Sequence, residues 1–225
     1  MAHSIVFQSV NKTYHVSNQP VIALDDVSFS TQPGVGFLVI TGASGSGKST
    51  ALQLIGGLEA PTSGHILIDN QDITAMSAKE LIAFRKRHIG IIFQQFYLEP
   101  TLTLQQNIEL PAIFASLSKS ERATRTKEIA EFMGLSEHLS HLPTQLSGGQ
   151  IQRAAIARAI YMQPRILLAD EPTSNLDPKN VAVVLDLFSQ IRQKYGTMIV
   201  LATHDQSIAA QADQLIHLEN GRLIH

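Results

Sequence analysis

The residues Gly42-Ala43-Ser44-Gly45-Ser46-Gly47-Lys48-Ser49-Thr50 decide the fold of this 225-residue chain. They lie between a short apolar run, residues 37–40, and a segment from Lys48 onward whose apolar side chains recur at helical spacing. A glycine-rich turn between a buried strand and a helix is the setting of the phosphate-binding P-loop. Its glycines let successive N–H groups turn inward, and the helix N-terminus adds about half a positive charge. The stretch therefore predicts a phosphate-binding turn in an α/β protein.

Two side chains of this turn indicate a nucleoside triphosphate with Mg²⁺. Lys48 carries the charge expected opposite the outer phosphates, and Ser49 offers a hydroxyl oxygen for the metal ion. The alternative is a flexible turn with an incidental lysine. The strand before the turn and the helix after it argue against that alternative.

A second apolar strand carries two adjacent carboxylates. Residues 166–169 are apolar and run directly into Asp170 and Glu171. In α/β sheets the carboxyl ends of strands face the ligand. We expect Asp170 to hold Mg²⁺ through water and Glu171 to polarise the attacking water, an effect worth about 10²- to 10⁴-fold in rate. An acidic strand end before a proline turn is the alternative, and it weakens beside a P-loop.

A third motif, Leu146-Ser147-Gly148-Gly149-Gln150, precedes another helical segment. Ser147 and Gln150 form an ordinary capping box, which explains part of the motif. A cap needs neither glycine, whereas two glycines at a helix start allow close backbone approach to an anion. The chain therefore has a second candidate phosphate site at a helix start.

The remaining pattern defines the architecture. Runs typical of strands occupy residues 5–10, 21–29, 37–40, 65–68, 89–93, 166–169 and 198–202. Helix starts are indicated at Lys48, Ser77 with Glu80, Ser118 with Glu121, Ser147 with Gln150, and Asp177 with Pro178. Asn220-Gly221 predicts a hairpin. We expect an α/β P-loop NTPase core, formed by residues 1–95 and 163–225, with a mostly parallel sheet and an antiparallel β edge. Residues 96–162, which lack strand signals, are expected to form an inserted all-α subdomain.

Composition excludes several classes. The net charge of -2 predicts no nucleic-acid partner, and the absence of cysteine excludes disulfides and thiolate metal sites. No apolar run approaches the roughly 20 residues of a spanning helix, and the first residues lack the features of a signal peptide. We therefore expect a cytoplasmic chain whose membrane role, if any, goes through a partner.

The order and spacing of these motifs resemble those of ABC transporter ATPases over essentially the whole chain. Residues 42–50, 146–150 and 166–171 are similar to the Walker A, signature and Walker B motifs, and Ser174-Asn175-Leu176-Asp177 to the D-loop. The resemblance implies the ABC ATPase fold, a homodimer arranged head to tail around two ATP, and ATP contacts by residues 42–50. It also implies that the signature residues act on the ATP of the partner chain.

The same resemblance gives roles to three isolated residues. Gln94 matches the Q-loop glutamine, which contacts Mg²⁺ or water and reports the nucleotide state to the membrane partner. His204 matches the H-loop histidine, which holds the γ-phosphate and the attacking water. Tyr14 matches the A-loop aromatic that stacks on adenine, although an aromatic near a strand end is also common in packing.

A narrower resemblance, to the MacB/LolD/FtsE subgroup, lies in Phe93-Gln94-Gln95-Phe96-Tyr97-Leu98-Glu99-Pro100 and the residues that follow. It implies a permease contacted near Gln94 to Leu98, and a location at the cytoplasmic face of the inner membrane. The permease would export or extract an amphiphile: a drug, peptide, lipoprotein or haem. An FtsE-like ATPase that regulates a membrane partner without moving cargo is the alternative. Glu99 departs from the apolar residue expected before the proline, which affects only the detail of docking.

Two histidines, His138 and His141, lie three residues apart and suggest a metal site. No third ligand follows nearby in the sequence. We therefore expect both to be surface residues.

Overall fold

The computed structural model describes residues 3–17, 19–174 and 176–224. The strands are β1 (Ile5–Val16), β2 (Gln19–Ser30), β3 (Phe37–Thr41), β4 (Ser63–Ile68), β5 (Gln71–Asp72), β6 (Ile89–Ile92), β7 (Ile166–Asp170), β8 (Met198–Thr203), β9 (Gln214–Glu219) and β10 (Arg222–Ile224). The helices are α1 (Lys48–Ile55), α2 (Ala78–His88), α3 (Leu104–Phe114), α4 (Lys119–Phe132), α5 (Gly148–Ile160), α6 (Pro178–Tyr195) and α7 (Gln206–Ala209). Short 3₁₀ turns occupy Ile73–Ala75, Ser136–His138 and Pro143–Gln145. None of the helices in these ranges is long and apolar enough to cross a membrane.

The chain forms two compact units. Unit 1 comprises residues 1–85, 168–171 and 198–225, and unit 2 comprises residues 86–167 and 172–197. Helices α3, α4 and α5 lie in unit 2, inside the predicted all-α segment 96–162. The predicted domain boundaries themselves stay a prediction.

Unit 1 contains the antiparallel β edge and most of the parallel sheet. The edge has the strand order β2-β1-β4-β5, and the second sheet runs β10-β9-β3-β8 followed by the C-terminal part of β7. Strand β3 is parallel to β8 and β9, with Phe37 opposite Ile199 and Leu38 opposite Gln214. Every residue of β3 and β8 is buried, as expected for parallel strands covered on both faces. The predicted α/β class, with a mostly parallel core and an antiparallel edge, is confirmed.

The β edge is longer than the sequence predicted. Strand β1 continues past residue 10 to Val16 and pairs with β2 through register shifts around Lys12. Polar residues and bulges break the period-2 pattern there, so the predicted end at residue 10 was wrong. Strand β2 also begins before residue 21 and includes Pro20, which is tolerated because within this sheet β2 pairs only with β1.

The predicted capping signals are present. Side chains cap α4 through Ser118 and Glu121 and α5 through Ser147 and Gln150, and Asp177 caps α6 with Pro178 in its first turn. The box between Ser77 and Glu80 also forms. The hairpin of β9 and β10 turns at Asn220 and Gly221, both with positive φ as a type I′ turn requires.

Candidate functional site

The glycine-rich turn of unit 1 exposes its middle and buries its ends. Ala43, Ser44 and Gly45 are exposed, whereas Ser46 and Lys48 are buried. The Lys48 ammonium folds back over the turn and donates to the carbonyl oxygens of Gly42 and Ala43, both at 2.9 Å. Among the described residues these hydrogen bonds go to neutral carbonyls, so the ammonium charge is suited to an anion that would bind on the turn.

The last glycine of the turn is fixed by its surroundings. Gly47 precedes α1 with φ of 104°, a conformation that other residues rarely adopt. A Cβ atom there would lie 2.5 Å from the carbonyl oxygen of Ala23 and 2.7 Å from Cδ2 of Leu24. Strand β2 therefore packs directly against the turn, and only glycine fits.

Ser49 and Asp170 form an oxygen pair beside the turn. The Ser49 hydroxyl donates to Oδ1 of Asp170 at 3.0 Å. Burial raises the pKa of Asp170, the neighbouring Glu171 carboxylate adds to the rise, and the Ser49 hydroxyl and Lys48 oppose it. A hydroxyl and a carboxylate are the oxygen ligands that Mg²⁺ takes in proteins, so these two residues fit the predicted metal role.

Glu171 and His204 meet at the ends of β7 and β8. Nδ1 of His204 lies 2.9 Å from Oε1 of Glu171. The Glu171 backbone donates to Ala202 at 2.9 Å and has φ of 45°, an uncommon conformation for glutamate. The Glu171 side chain is only 14% exposed, whereas that of His204 is 67% exposed. An exposed imidazole thus covers a sheltered carboxylate at the edge of the sheet.

The strand register places the start of the P-loop at the same edge of the sheet as His204. Thr41, the last residue of β3, lies opposite Thr203 of the parallel strand β8. Gly42 and His204 follow them directly, so both begin at the same edge of the sheet. Within unit 1 the structure therefore brings together five predicted site residues: Lys48, Ser49, Asp170, Glu171 and His204.

Tyr14, on β1 of the same unit, is half-buried. Its hydroxyl donates to Oε2 of Glu59 at 2.9 Å. Burial raises its pKa, Glu59 raises it further, and a hydrogen bond with the Thr50 side chain opposes the rise. Thr50 belongs to α1, so the tyrosine is tied to the helix that follows the P-loop. Its predicted role with adenine stays a prediction.

The signature motif of unit 2 opens α5. Gln150 accepts from the Ser147 backbone at 2.8 Å, and the Ser147 side chain accepts from the Gln150 backbone at 3.4 Å. Ser147 and Gly148 are exposed, and Gly149 and Gln150 are half-buried. A Cβ atom on Gly148 would meet nothing within 4 Å, so packing within this chain does not require that glycine.

The two histidines of unit 2 are not simple surface residues. The His138 and His141 rings lie 5.3 Å apart, both are half-buried, and their Nδ1 atoms are buried. Nε2 of His138 lies 2.6 Å from the amide nitrogen of Gln150. The predicted surface placement holds only in part, because the His138 ring contacts the Gln150 side chain of α5, and the carbonyl oxygens of Leu139 and His141 accept from the start of α3. Among the described residues no cluster of three or more metal-binding side chains occurs.

The other predicted residues of unit 2 are largely exposed. Gln94 follows β6 and is exposed, as is Ser174. Asp177 accepts from the Asn180 backbone at 3.0 Å, a hydrogen bond that lowers its pKa. Its carboxylate therefore caps α6, and Asn175 of the predicted D-loop lies outside the described residues.

A groove of about 480 Å³ lies in unit 2 beside the segment after Gln94. Phe93, Tyr97 and Phe114 line it, and Tyr97 and Phe114 are 62% and 69% exposed. Arg158 of α5 donates to the carbonyl oxygens of Phe96 at 2.8 Å and Tyr97 at 2.7 Å.

Sequence reasoning did not identify Arg158 or Glu59. Each reaches its partner only through tertiary packing, and no local spacing rule marks either residue.

The chain belongs to the ABC transporter family, whose sequence profile matches residues 24–174. It is an ATPase domain of that family. It is similar to the ABC transporter ATP-binding protein YknY of Bacillus subtilis, with 40% identity over 98% of this chain and 95% of that protein. The lipoprotein-releasing system ATP-binding protein LolD of Bacteroides fragilis is 44% identical over 82% of this chain and 86% of its own length. The macrolide export ATP-binding/permease protein MacB of Brucella melitensis is 40% identical over 98% of this chain, which spans 34% of that longer protein.

A solved structure supports the fold. The ATP-binding cassette MJ0796, in a dimeric post-hydrolysis state bound to ADP and Pi, is 39% identical, with a TM-score of 0.89 over 98% of this chain and 97% of that chain. The predicted resemblance to ABC ATPases and to the LolD and MacB proteins is thereby confirmed.

Proposed function

We propose that this chain hydrolyses ATP as a head-to-tail homodimer and thereby drives a MacB- or LolD-like membrane permease. The observation that carries the proposal is the Glu171–His204 pair, 2.9 Å apart at the sheet edge where the P-loop begins. Such a pair places a candidate base and its orienting partner beside a phosphate-binding turn.

The phosphate end of the site would rest on α1 and its turn. On binding ATP, the Lys48 ammonium would exchange its two carbonyl partners for oxygens of the outer phosphates, which are stronger, charged acceptors. Ser49 and Asp170 would hold Mg²⁺, and the family resemblance adds Gln94 to that set. Bound Mg²⁺ would neutralise charge on the outer phosphates.

Glu171 would orient the attacking water and take its proton. Its shelter from solvent and its fixed backbone keep the carboxylate in one place. If Nδ1 of His204 carries a proton, it donates to Glu171 and leaves Nε2 facing solvent, where the γ-phosphate and water would lie. The exposed histidine would thus link the base to the substrate.

The signature would serve the ATP of the partner chain. Ser147 and Gly148 are exposed at the start of α5, and the backbone N–H groups of Gly148 and Gly149, which the capping box does not use, suit an anion. Support comes from MJ0796, whose post-hydrolysis state is dimeric. The D-loop residues Ser174 and Asp177 would lie at the same interface.

The permease would dock on the groove of unit 2. Aromatic side chains this exposed, beside the segment from Gln94 to Leu98, suit an apolar helix of a partner. LolD is named for lipoprotein release and MacB for macrolide export. These names support an amphiphilic substrate and a place at the cytoplasmic face of the membrane.

The proposed catalytic role of Glu171 is tested by trapping an ATP-bound dimer. With Glu171→Gln we expect ATP and Mg²⁺ to convert a monomer into a stable dimer, measured by light scattering after size exclusion, because binding survives while hydrolysis stops. Lys48→Ala should not dimerise under the same conditions. A Glu171→Gln chain that stays monomeric at saturating ATP would contradict the dimer proposal.

Docking is tested separately. Phe114→Asp should abolish co-purification with a co-expressed MacB- or LolD-like permease, while the isolated chain keeps its ATPase rate. Exposed Glu128 of α4 offers a control variant, Glu128→Ala. Retained co-purification of Phe114→Asp would exclude the groove. A complex that hydrolyses ATP but moves no amphiphile would favour the FtsE-like role.

A further inference from the structure

A cluster on the β edge of unit 1 joins Tyr14 to two side chains outside the family motifs. Oε2 of Glu59 accepts from the Tyr14 hydroxyl at 2.9 Å and lies 2.8 Å from Nζ of Lys12. Nζ of Lys12 also donates to the carbonyl oxygen of Ala60 at 2.9 Å. One carboxylate oxygen therefore holds both the tyrosine and the lysine.

Lys12 covers one face of the tyrosine ring. Its ammonium nitrogen lies 4.8 Å from the ring centroid, within the range of a cation–π contact. The ammonium cannot swing away without breaking its contacts with Glu59 and Ala60. An aromatic ring has two faces, so a planar ligand has only the face opposite Lys12 on which to stack.

Glu59 is well placed to fix this geometry. It lies in the segment between α1 and β4, and that segment is bonded to β1 on both sides of Lys12. Thr62 donates to Asn11 at 2.8 Å, and the Thr13 backbone donates to the Thr62 hydroxyl at 2.9 Å. The hydrogen bond from Lys12 lowers the pKa of Glu59, so the carboxylate stays ionised at neutral pH.

We propose that Glu59 is the positioning residue of the base site: it anchors the Tyr14 hydroxyl and seats Lys12 on one ring face, so that adenine stacks on the other. This inference rests on the proposed role of Tyr14. Such an arrangement increases the affinity for adenine because the tyrosine ring is already ordered before adenine binds. Without the anchor, the ring would have to be ordered on binding.

The test uses two ligands to separate binding of the adenine from binding of the phosphates. Binding of ATP and of inorganic tripolyphosphate, each with Mg²⁺, is measured by calorimetry on the full chain. Tyr14→Ala should weaken ATP binding about 5- to 150-fold, the range for one stacked base, and leave tripolyphosphate unchanged. Glu59→Ala should weaken ATP about three- to tenfold and also spare tripolyphosphate, because it disorders the ring without removing it.

Two further variants complete the test. Glu59→Gln keeps an acceptor for the tyrosine but loses the charge that holds Lys12, so it should lose less ATP affinity than Glu59→Ala. It also serves if Glu59→Ala fails to fold. Glu128→Ala makes the same change as Glu59→Ala on an exposed helix position and should bind both ligands as the wild type does.

The outcomes distinguish the two claims. If Tyr14→Ala binds ATP normally, the base-stacking role of Tyr14 itself fails. If Tyr14→Ala weakens ATP but both Glu59 variants bind it normally, that role stands and the positioning role of Glu59 is overturned. Equal loss of ATP and tripolyphosphate in both Glu59 variants would also overturn it, since Glu59 would then support the P-loop or the fold.

Discussion

The two glycine-rich helix starts of this chain differ in how their own surroundings hold them. At the start of α1, Gly47 is enclosed by β2, and Lys48 bonds to its own turn. At the start of α5, a Cβ atom on Gly148 would meet open space, and the Ser147 side chain and backbone N–H form the capping box with Gln150. The first motif is complete within unit 1. The second is exposed, as we expect of a surface whose ligand belongs to another molecule.

The largest effect should come from replacing the Glu171 carboxylate in the candidate site of unit 1. Glu171→Gln keeps the shape of the side chain but cannot accept a proton from water, so turnover should fall about 10²- to 10⁴-fold. ATP affinity, measured by calorimetry, should stay near that of the wild type. Glu128→Gln is the matched control on an exposed helix. Near-normal phosphate release by Glu171→Gln would remove Glu171 from the catalytic role.

Lys48→Ala should act on binding instead. It removes a charged hydrogen-bond donor from the phosphates, so ATP affinity should fall about 10- to 150-fold, the range for charged hydrogen bonds. Calorimetry with Mg²⁺ and ATP measures the change. Unchanged affinity would contradict the P-loop assignment.

One substitution made at both helix starts sharpens the comparison. Gly47→Ala places a methyl group against Ala23 and Leu24 at positive φ, so the free energy of unfolding should fall by at least about 1–3 kcal/mol. Gly148→Ala meets open space in the first turn of a helix, where alanine is favoured over glycine, so stability should not fall.

In Gly148→Ala we expect the ATPase activity to fall although the stability does not. If Gly148 faces the ATP of a partner chain, its added methyl group should reduce steady-state ATPase more than about tenfold despite normal thermal unfolding. Gly134→Ala, which also adds a methyl group in open space but at a positive φ of 63°, is a control outside the proposed nucleotide site. Wild-type activity in Gly148→Ala would show that the second helix start is not part of a nucleotide site.

The smallest effect is on stability and depends on pH. The raised pKa of Asp170 means that the folded chain holds its proton more tightly than the unfolded chain does. Stability is therefore lost as pH rises from about 4 through the folded-state pKa. Asp170→Asn removes this cost, so without nucleotide it should unfold at a higher temperature than the wild type at pH 7. The difference should vanish below about pH 4.

Addition of nucleotide should reverse the order of the two unfolding temperatures at pH 7. Mg²⁺ and ATP should stabilise the wild type more than Asp170→Asn, because the variant lacks the carboxylate proposed for the metal. Equal melting temperatures for both proteins across this pH range would contradict the buried-charge account of Asp170.

Local motifs predicted most of the fold and the candidate site residues that lie in unit 1. Lys48, Ser49, Asp170 and Glu171 are each specified by a short run next to a strand or helix, and the capping boxes and the Asn220–Gly221 hairpin are equally local. The end of β1, the His138–Gln150 contact and the Glu59 cluster were not predicted. Each depends on strand register or on a loop folding back, and such contacts between distant segments leave no periodic signal in the sequence.

The central claim is that Ser147 and Gly149 act on ATP bound by Lys48 of the other chain, and mixing two inactive variants tests it most directly. Alone, Lys48→Ala and Ser147→Arg should each hydrolyse almost nothing, because each homodimer carries the same lesion in both sites. In a mixed dimer one site carries both lesions and the other is intact.

The measurement is the ATPase rate of an equal mixture, with chain exchange verified and site coupling calibrated by diluting wild-type chains with each variant. If half the dimers are mixed and the sites act independently, the rate should rise to about one quarter of the wild type, and to less if the sites are coupled. With exchange shown and coupling only partial, a mixture as inactive as its separate components would contradict the account, because Ser147 would then serve its own chain or only cap α5.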